Sequence, residues 1–246
     1  EVGDNLRLSW LNNRKLPAEL VVGGDLDLKG MDLEKLPDNL KVGGSLNLEN
    51  TGVKELPDNL EVGDSLILRN TDVVELPEEL TLEGNLNLRN TNLQKPPENL
   101  KVGGDLDLRG TDVGELPERL EVGGDLNLLG TTIEELPEVF SVGGDLNLGK
   151  TNVKDLGGNK RFPGDLNFSR TELERLPEGL EVGRKLNLSH TAITHLPEAL
   201  EVGGSIVLTN TPLEELPDNL KVWGYLDLSN TALNQLPEGL TVERDL

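Results

Sequence analysis

The sequence predicts a mainly β fold: a solenoid of about twelve coils, each of 20 residues, with a long parallel sheet along one side. Three observations carry this. A unit such as LPDNLKVGGSLNLENTGVKE, residues 36–55, recurs without insertion or deletion. The same columns stay aliphatic from copy to copy, and a 20-residue coil has little room for a helix. Self-similarity at such a period marks a stack in which each unit buries its apolar side only against its neighbours. The expected organisation is a single solenoid over residues 1–246. Because the chain opens on EVGDNLRLSW and closes on TVERDL, both inside a repeat, the reading is of a fragment without natural caps, which repeat stacks require.

Each element of the coil follows from its columns. The first column runs Leu26, Leu46, Leu66 and on to Leu246, with Ile206 the only change. Two residues later come Leu28, Leu48 and Leu68, with Phe168 the exception, and the residues between are mostly polar. Such alternation is a half-buried strand, and stacked copies make a parallel sheet. A column of ten threonines, Thr51 to Thr231, follows three residues later. Then come Leu33, Val53, Val73 and an LP pair, as at Leu36-Pro37 and Leu56-Pro57. Pro locks φ and disfavours helix, so this side should be extended, and the acid after it, as in Pro77-Glu78, suits a type I turn. Leu40-x-Val42 and Leu60-x-Val62 alternate again, which predicts a second short strand. Glycines at Gly23-Gly24, Gly43-Gly44 and Gly103-Gly104 mark the corner between the strands, where positive φ or a tight bend is expected.

The skeleton LxLxxTxLxxLP resembles the leucine-rich repeat, with Thr where that family usually has Asn or Cys. The resemblance implies a right-handed solenoid, the sheet on its concave face, and Thr pointing inward to bond backbone. The 20-residue length and the LP pair are similar to those of the YopM and IpaH groups of effectors secreted by bacterial pathogens. That likeness implies a protein–protein recognition scaffold, secreted by a bacterium and acting in a host cytosol. It also keeps open the substrate-reading part of a ubiquitin ligase-type effector, whose catalytic cysteine lies outside this chain. A remote third reading, ice binding, needs the threonines on a flat exposed face.

Composition bounds the partner. The net charge of −22 disfavours a phosphate backbone or an anionic membrane, so no nucleic acid and no membrane are expected. Cysteine is absent, which excludes disulfides, thiolate zinc sites and a cysteine nucleophile within these residues. His190 and His195 lie on different sides of the coil, the glycine pairs recur as architecture, and no serine stands in a triad context. No catalytic residue, cofactor or metal is assigned. The expected molecule is a monomer that binds a protein.

Candidate binding residues are those that break the pattern on the outward side of the main sheet. Ile67, Arg69, Arg89 and Arg109 form a strip with three stacked cations on an acidic chain. Asp105 and Asp107 belong to acidic and amide ladders (Asp105, Asp125, Asp145, Asp165) that could recruit calcium or a basic partner, or simply hydrogen-bond to neighbouring Asn and solvent. Lys185, Val207 and Tyr225, with Trp223 at the corner, have hot-spot composition in a chain that is 2% aromatic. Trp223 and Tyr225 could equally cover the end of the core. One coil, LGGNKRFPGDLNFSR, puts Lys160 in an aliphatic column. Phe140, Phe162 and Phe168 are expected to fill the vacated volume, or Lys160 and Arg161 to form a basic bulge.

Overall fold

The computed structural model of the protein describes residues 1–10, 15–158 and 160–243. Leu246, the last member of the first aliphatic column, lies outside them. Among the described residues all regular structure is β strand. The chain divides into two compact units, Glu1–Asp125 and Leu126–Leu246. Each is a leucine-rich-repeat β-solenoid, and each repeats one plan.

In the first unit the main sheet is built from Leu6–Arg7, Leu26–Asp27, Leu46–Asn47, Leu66–Ile67, Leu86–Asn87 and Leu106–Asp107. In the second it is built from Leu126–Asn127, Leu146–Asn147, Leu166–Asn167, Leu186–Asn187, Ile206–Val207 and Leu226–Asp227. Pairing is parallel and in register with the repeat: Leu26 faces Leu46, Leu46 faces Leu66, and Leu146 faces Leu166. The leucines point inward and are fully buried, as at Leu26, Leu46, Leu66, Leu86, Leu166 and Leu186. Each such burial contributes about 1.5–3 kcal/mol, so stacking holds the coils together. In the outermost coils Leu6, Leu8, Leu226 and Leu228 are only half-buried, and Leu236 is 60% exposed.

The inward threonines do what the repeat predicts. Thr51 to Thr211 are buried, and each hydroxyl donates to the carbonyl three residues back, as Thr51 to Leu48 at 2.8 Å and Thr111 to Leu108 at 2.7 Å. The same carbonyl accepts the threonine backbone N–H, at 3.2 Å for Thr51. These threonines therefore close the turn that leaves the sheet, and they form no exposed face of the kind ice binding needs. On the outer side Pro37 C=O accepts Leu40 N–H at 3.3 Å, and Pro57 C=O accepts Leu60 N–H at 3.0 Å. That is the hydrogen bond of a β-turn beginning at proline.

The expected second strand is present, as at Lys41–Val42, Glu61–Val62 and Lys101–Val102, but its sheet is interrupted. The reason lies at the corner, where the glycines make the expected bend but without positive φ. Positive φ falls not on the corner glycines but on the residue before the threonine column, which holds Met31 in the coil of Gly30: Asn50, Asn70 and Asn90 at 58°, 56° and 55°, and Gly30 and Gly110 at 67° and 68°. Asn and Gly are the residues that tolerate this left-handed region. The corner glycines instead allow coils to touch, since a Cβ on Gly23 would lie 2.6 Å from the Gly3 carbonyl oxygen. Where the column holds another residue, pairing suffers. Glu61–Val62 and Thr81–Leu82, the latter followed by Glu83, belong to different sheets. So do Val139–Val142 and Arg161–Phe162, the latter followed by Pro163, which has no N–H to donate. Beside Trp223, the strand Lys221–Val222 keeps only the Val202–Val222 pair with its predecessor.

The irregular coil packs as follows. Phe162 and Phe168 are buried, Lys160 is exposed, and Phe140, its neighbour in the column, is half-buried. Phe140 therefore does not fill the space as expected, because the adjoining coil offers it a solvated lysine instead of leucine. Arg161 pairs with Glu181 at 3.4 Å.

Candidate functional site

The outward side of the main sheet is largely occupied by its own hydrogen bonds. At the column of residue 47, an Asx side chain accepts the N–H two residues on: Asn47 from Glu49 at 3.0 Å, Asn87 from Arg89 at 3.1 Å, Asn167 from Ser169 at 2.9 Å. At the column of residue 45 the bonds run between coils. Asp25 Oδ1 accepts Ser45 N–H at 2.8 Å, Asn85 Oδ1 accepts Asp105 N–H at 2.7 Å, and Asp165 Oδ1 accepts Lys185 N–H at 3.0 Å. Both devices let a short polar side chain substitute for a backbone carbonyl. The acidic ladder is accounted for in the same way: Asp105 Oδ1 accepts Asp125 N–H at 2.8 Å, and Asp145 Oδ1 accepts Asp165 N–H at 2.8 Å. Arg184 reaches across to Asp145 at 2.6 Å and Asp165 at 3.3 Å. Their charges, Asp145 foremost, hold its guanidinium above its ordinary pKa.

Against this background the pattern-breaking residues stand out physically. Ile67 and Val207 cannot accept the N–H two residues on, and Lys185 has no acceptor to offer the next coil. The first unit thus gives up a structural bond at Ile67, and the second gives up bonds at Lys185 and Val207.

In the second unit Lys185 Nζ lies 5.8 Å from the Tyr225 ring centroid, a cation–π contact that spans the intervening coil. Val207 stands between them in sequence, half-buried, while Tyr225 is 42% exposed. Trp223, 58% exposed, lines a different feature. It borders an open groove of about 620 Å³ along the second strands, with Pro163 at the other end and Gly183 and Gly203 between. The structure therefore joins Lys185 to Tyr225 and sets Trp223 along the groove.

In the first unit the column of residue 29 reads Lys29, Glu49, Arg69, Arg89, Arg109. Lys29 pairs with Glu49 at 2.9 Å. Arg109 is gripped by Asp107, which accepts its Nε–H at 2.8 Å and its backbone N–H at 3.1 Å. The hydrogen bonds from Asp107 push the Arg109 pKa upward. Between these two pairs, Arg69 and Arg89 have no carboxylate within ion-pair distance among the described residues. Arg69 Nε is buried and without a hydrogen-bond partner. Sequence reasoning located this strip, but not that its flanking acids were already engaged.

A stack of in-register coils with inward leucines and an inward hydrogen-bonding threonine defines a leucine-rich-repeat fold. The chain's fold is similar to that of YopM. YopM from Yersinia enterocolitica WA-314 matches at 21% identity and a TM-score of 0.59, over 94% of this chain and 56% of that one. YopM from Yersinia pestis matches at 19% identity and a TM-score of 0.50, over 98% and 88%. A leucine-rich-repeat protein of Leptospira interrogans gives 22% identity and a TM-score of 0.47, over 89% and 72%. The chain thus spans little more than half the length of the Y. enterocolitica protein. At these identities the likeness is one of fold. No protein-family model matches the chain, and no curated protein does.

Proposed function

We propose that this chain is a non-catalytic recognition scaffold that binds a partner protein, as a monomer, on the outward side of its main sheet. One observation carries the reading: outward positions are structural in most coils, and where that role is abandoned beyond the first coil the replacements are Ile67, Lys185, Val207 and Tyr225. Exchanging a hydrogen-bonding Asn for an aliphatic or aromatic side chain weakens the sheet unless something else uses the new surface. The fold shared with YopM supports a place within a secreted bacterial effector, with residues 1–246 acting as one continuous solenoid.

The test is capture by the immobilised chain from a lysate of host cells, comparing wild type with Tyr225→Ala and Arg89→Glu. A partner retained by wild type and lost by at least one variant, with unchanged far-UV dichroism, supports the reading. Retention by both variants would move recognition to another surface, the Trp223 groove first.

A further inference from the structure

The geometry points to Ile67, Arg69 and Arg89 as a seat for one carboxylate side chain, Glu or Asp, of an extended partner segment, with an apolar neighbour of that residue resting on Ile67. This rests on the recognition reading above and names the chemistry of its partner. The molecule contains its own template. Two coils further on, Asp107 presents a carboxylate to Arg109 and holds both its Nε–H, at 2.8 Å, and its backbone N–H, at 3.1 Å. In the coil of Arg69 the same donors recur, but residue 67 is isoleucine and supplies no oxygen. The consequence is visible as a buried Arg69 Nε that meets no acceptor.

Arg89 strengthens the case. It lies one coil away in the same column, at the roughly 4.8 Å strand spacing, and its side chain also lacks a carboxylate. Two neighbouring unpaired guanidinium groups repel each other. Yet the chain has 45 acidic residues against 23 basic ones and could have supplied a counter-charge. An incoming carboxylate relieves the repulsion and forms the charge-assisted bonds Arg favours, meeting the buried Arg69 Nε as that side chain swings its guanidinium outward. A phosphate would also meet guanidinium chemistry, but a near-dianion is repelled about twice as strongly as a carboxylate by a chain of charge −22. The aliphatic Ile67 beside the cations fits a side chain carried on a peptide better than a free anion.

The probes are three pools of N-acetylated, C-amidated heptapeptides with Glu, Gln or phosphoserine fixed at the centre and mixed Leu, Val and Ser around it. The readout is the backbone amide and arginine Nε–H signals of the ¹⁵N-labelled full chain. The Glu pool is expected to shift the Arg69 and Arg89 signals, and the Gln pool to need at least tenfold higher concentration. Ile67→Asp, which installs the carboxylate in cis as Asp107 does, should abolish the response and raise the thermal midpoint; Ile67→Val should keep the response. Unmoved Arg69 and Arg89 signals, or an undiminished response in Ile67→Asp, would overturn the seat. Tighter binding of the phosphoserine pool would overturn its assignment to a carboxylate. Peptides that shift other main-sheet signals, such as those around Tyr225, while leaving both arginines unmoved would overturn the seat and leave the recognition reading standing. No response anywhere on that face would count against both.

Discussion

The main sheet is built from two-residue strands and the second from strands of two to four, yet the first runs without interruption within its unit and the second breaks. The main sheet is held by side chains that add hydrogen bonds: Thr inside, Asx outside. It absorbs Ile67, Val207 and Tyr225, because losing one ladder bond leaves the backbone pairing intact. The second sheet is held by the absence of side chains. Glycine lets one coil touch the next, and Glu83, Pro163 or Trp223 at that column coincides with a break or a lost pair. A surface meant to vary is therefore best placed on the main sheet, where variation costs single hydrogen bonds instead of coil contact.

The comparison can be broken by substitution. The largest effect is expected inside the main sheet, where Leu86→Ala, at a fully buried site, should destabilise by about 2–5 kcal/mol in urea unfolding. Gly203→Val tests the second sheet. Its new Cβ would meet the Gly183 carbonyl, so about 1–3 kcal/mol should be lost. Amide protection should fall at Val202 while that at Ile206 persists; equal loss at both would mean that the sheets are not independently held. Thr111→Val leaves the Leu108 carbonyl without its hydroxyl donor and should cost about 1–3 kcal/mol, measured by thermal unfolding.

Smaller again, Asn87→Leu removes only the acceptor for Arg89 N–H and should cost about 0.5–1.5 kcal/mol. A loss as large as that of Leu86→Ala would refute the tolerance argued for the outward face. The smallest effect concerns pH. The hydroxyl and backbone N–H of Ser229 hold the Asp227 carboxyl below its ordinary value of 3.8. A depressed native pKa means that the unfolded state takes up the proton first as pH falls. The contribution of Asp227 is thus complete above about pH 3.8 and fades as the pH drops through the lower native value. Asp227→Asn should flatten only that acid limb of the stability profile.

The periodic columns made the coil, its inward threonines and its second strand legible, because each depends on local alternation repeated at a fixed spacing. What the sequence misplaced depends on contacts between coils. Gly23-Gly24 reads as positive φ or a tight bend; the bend is there, but positive φ falls on Asn50 and its column, and the glycines answer to the neighbouring coil. The candidate site divided in the same way. Pattern breaks located Ile67, Arg69, Arg89 and Tyr225. That Asp107 is engaged by Arg109, Glu49 by Lys29, and Lys185 by Tyr225 emerges only when side chains have positions. Trp223 reads with Tyr225 as an exposed aromatic pair of hot-spot composition, whereas Trp223 borders the groove along the second strands.

The backbone N–H groups at the column of residue 45 donate to the equivalent side chain one coil away, as the Asn70–Asn50 and Asn90–Asn70 amide bonds also do. Within a unit, excising residues 86–105 or copying them in tandem would hand every donor an acceptor of the same kind as before. Loss of 19 or 21 residues would put each outward side chain inside and each inward one outside, since strand faces alternate. Recombination between copies of the repeat can therefore lengthen or shorten the molecule in whole coils, and a partner's footprint can be resized by genetic accident before any single residue is refined.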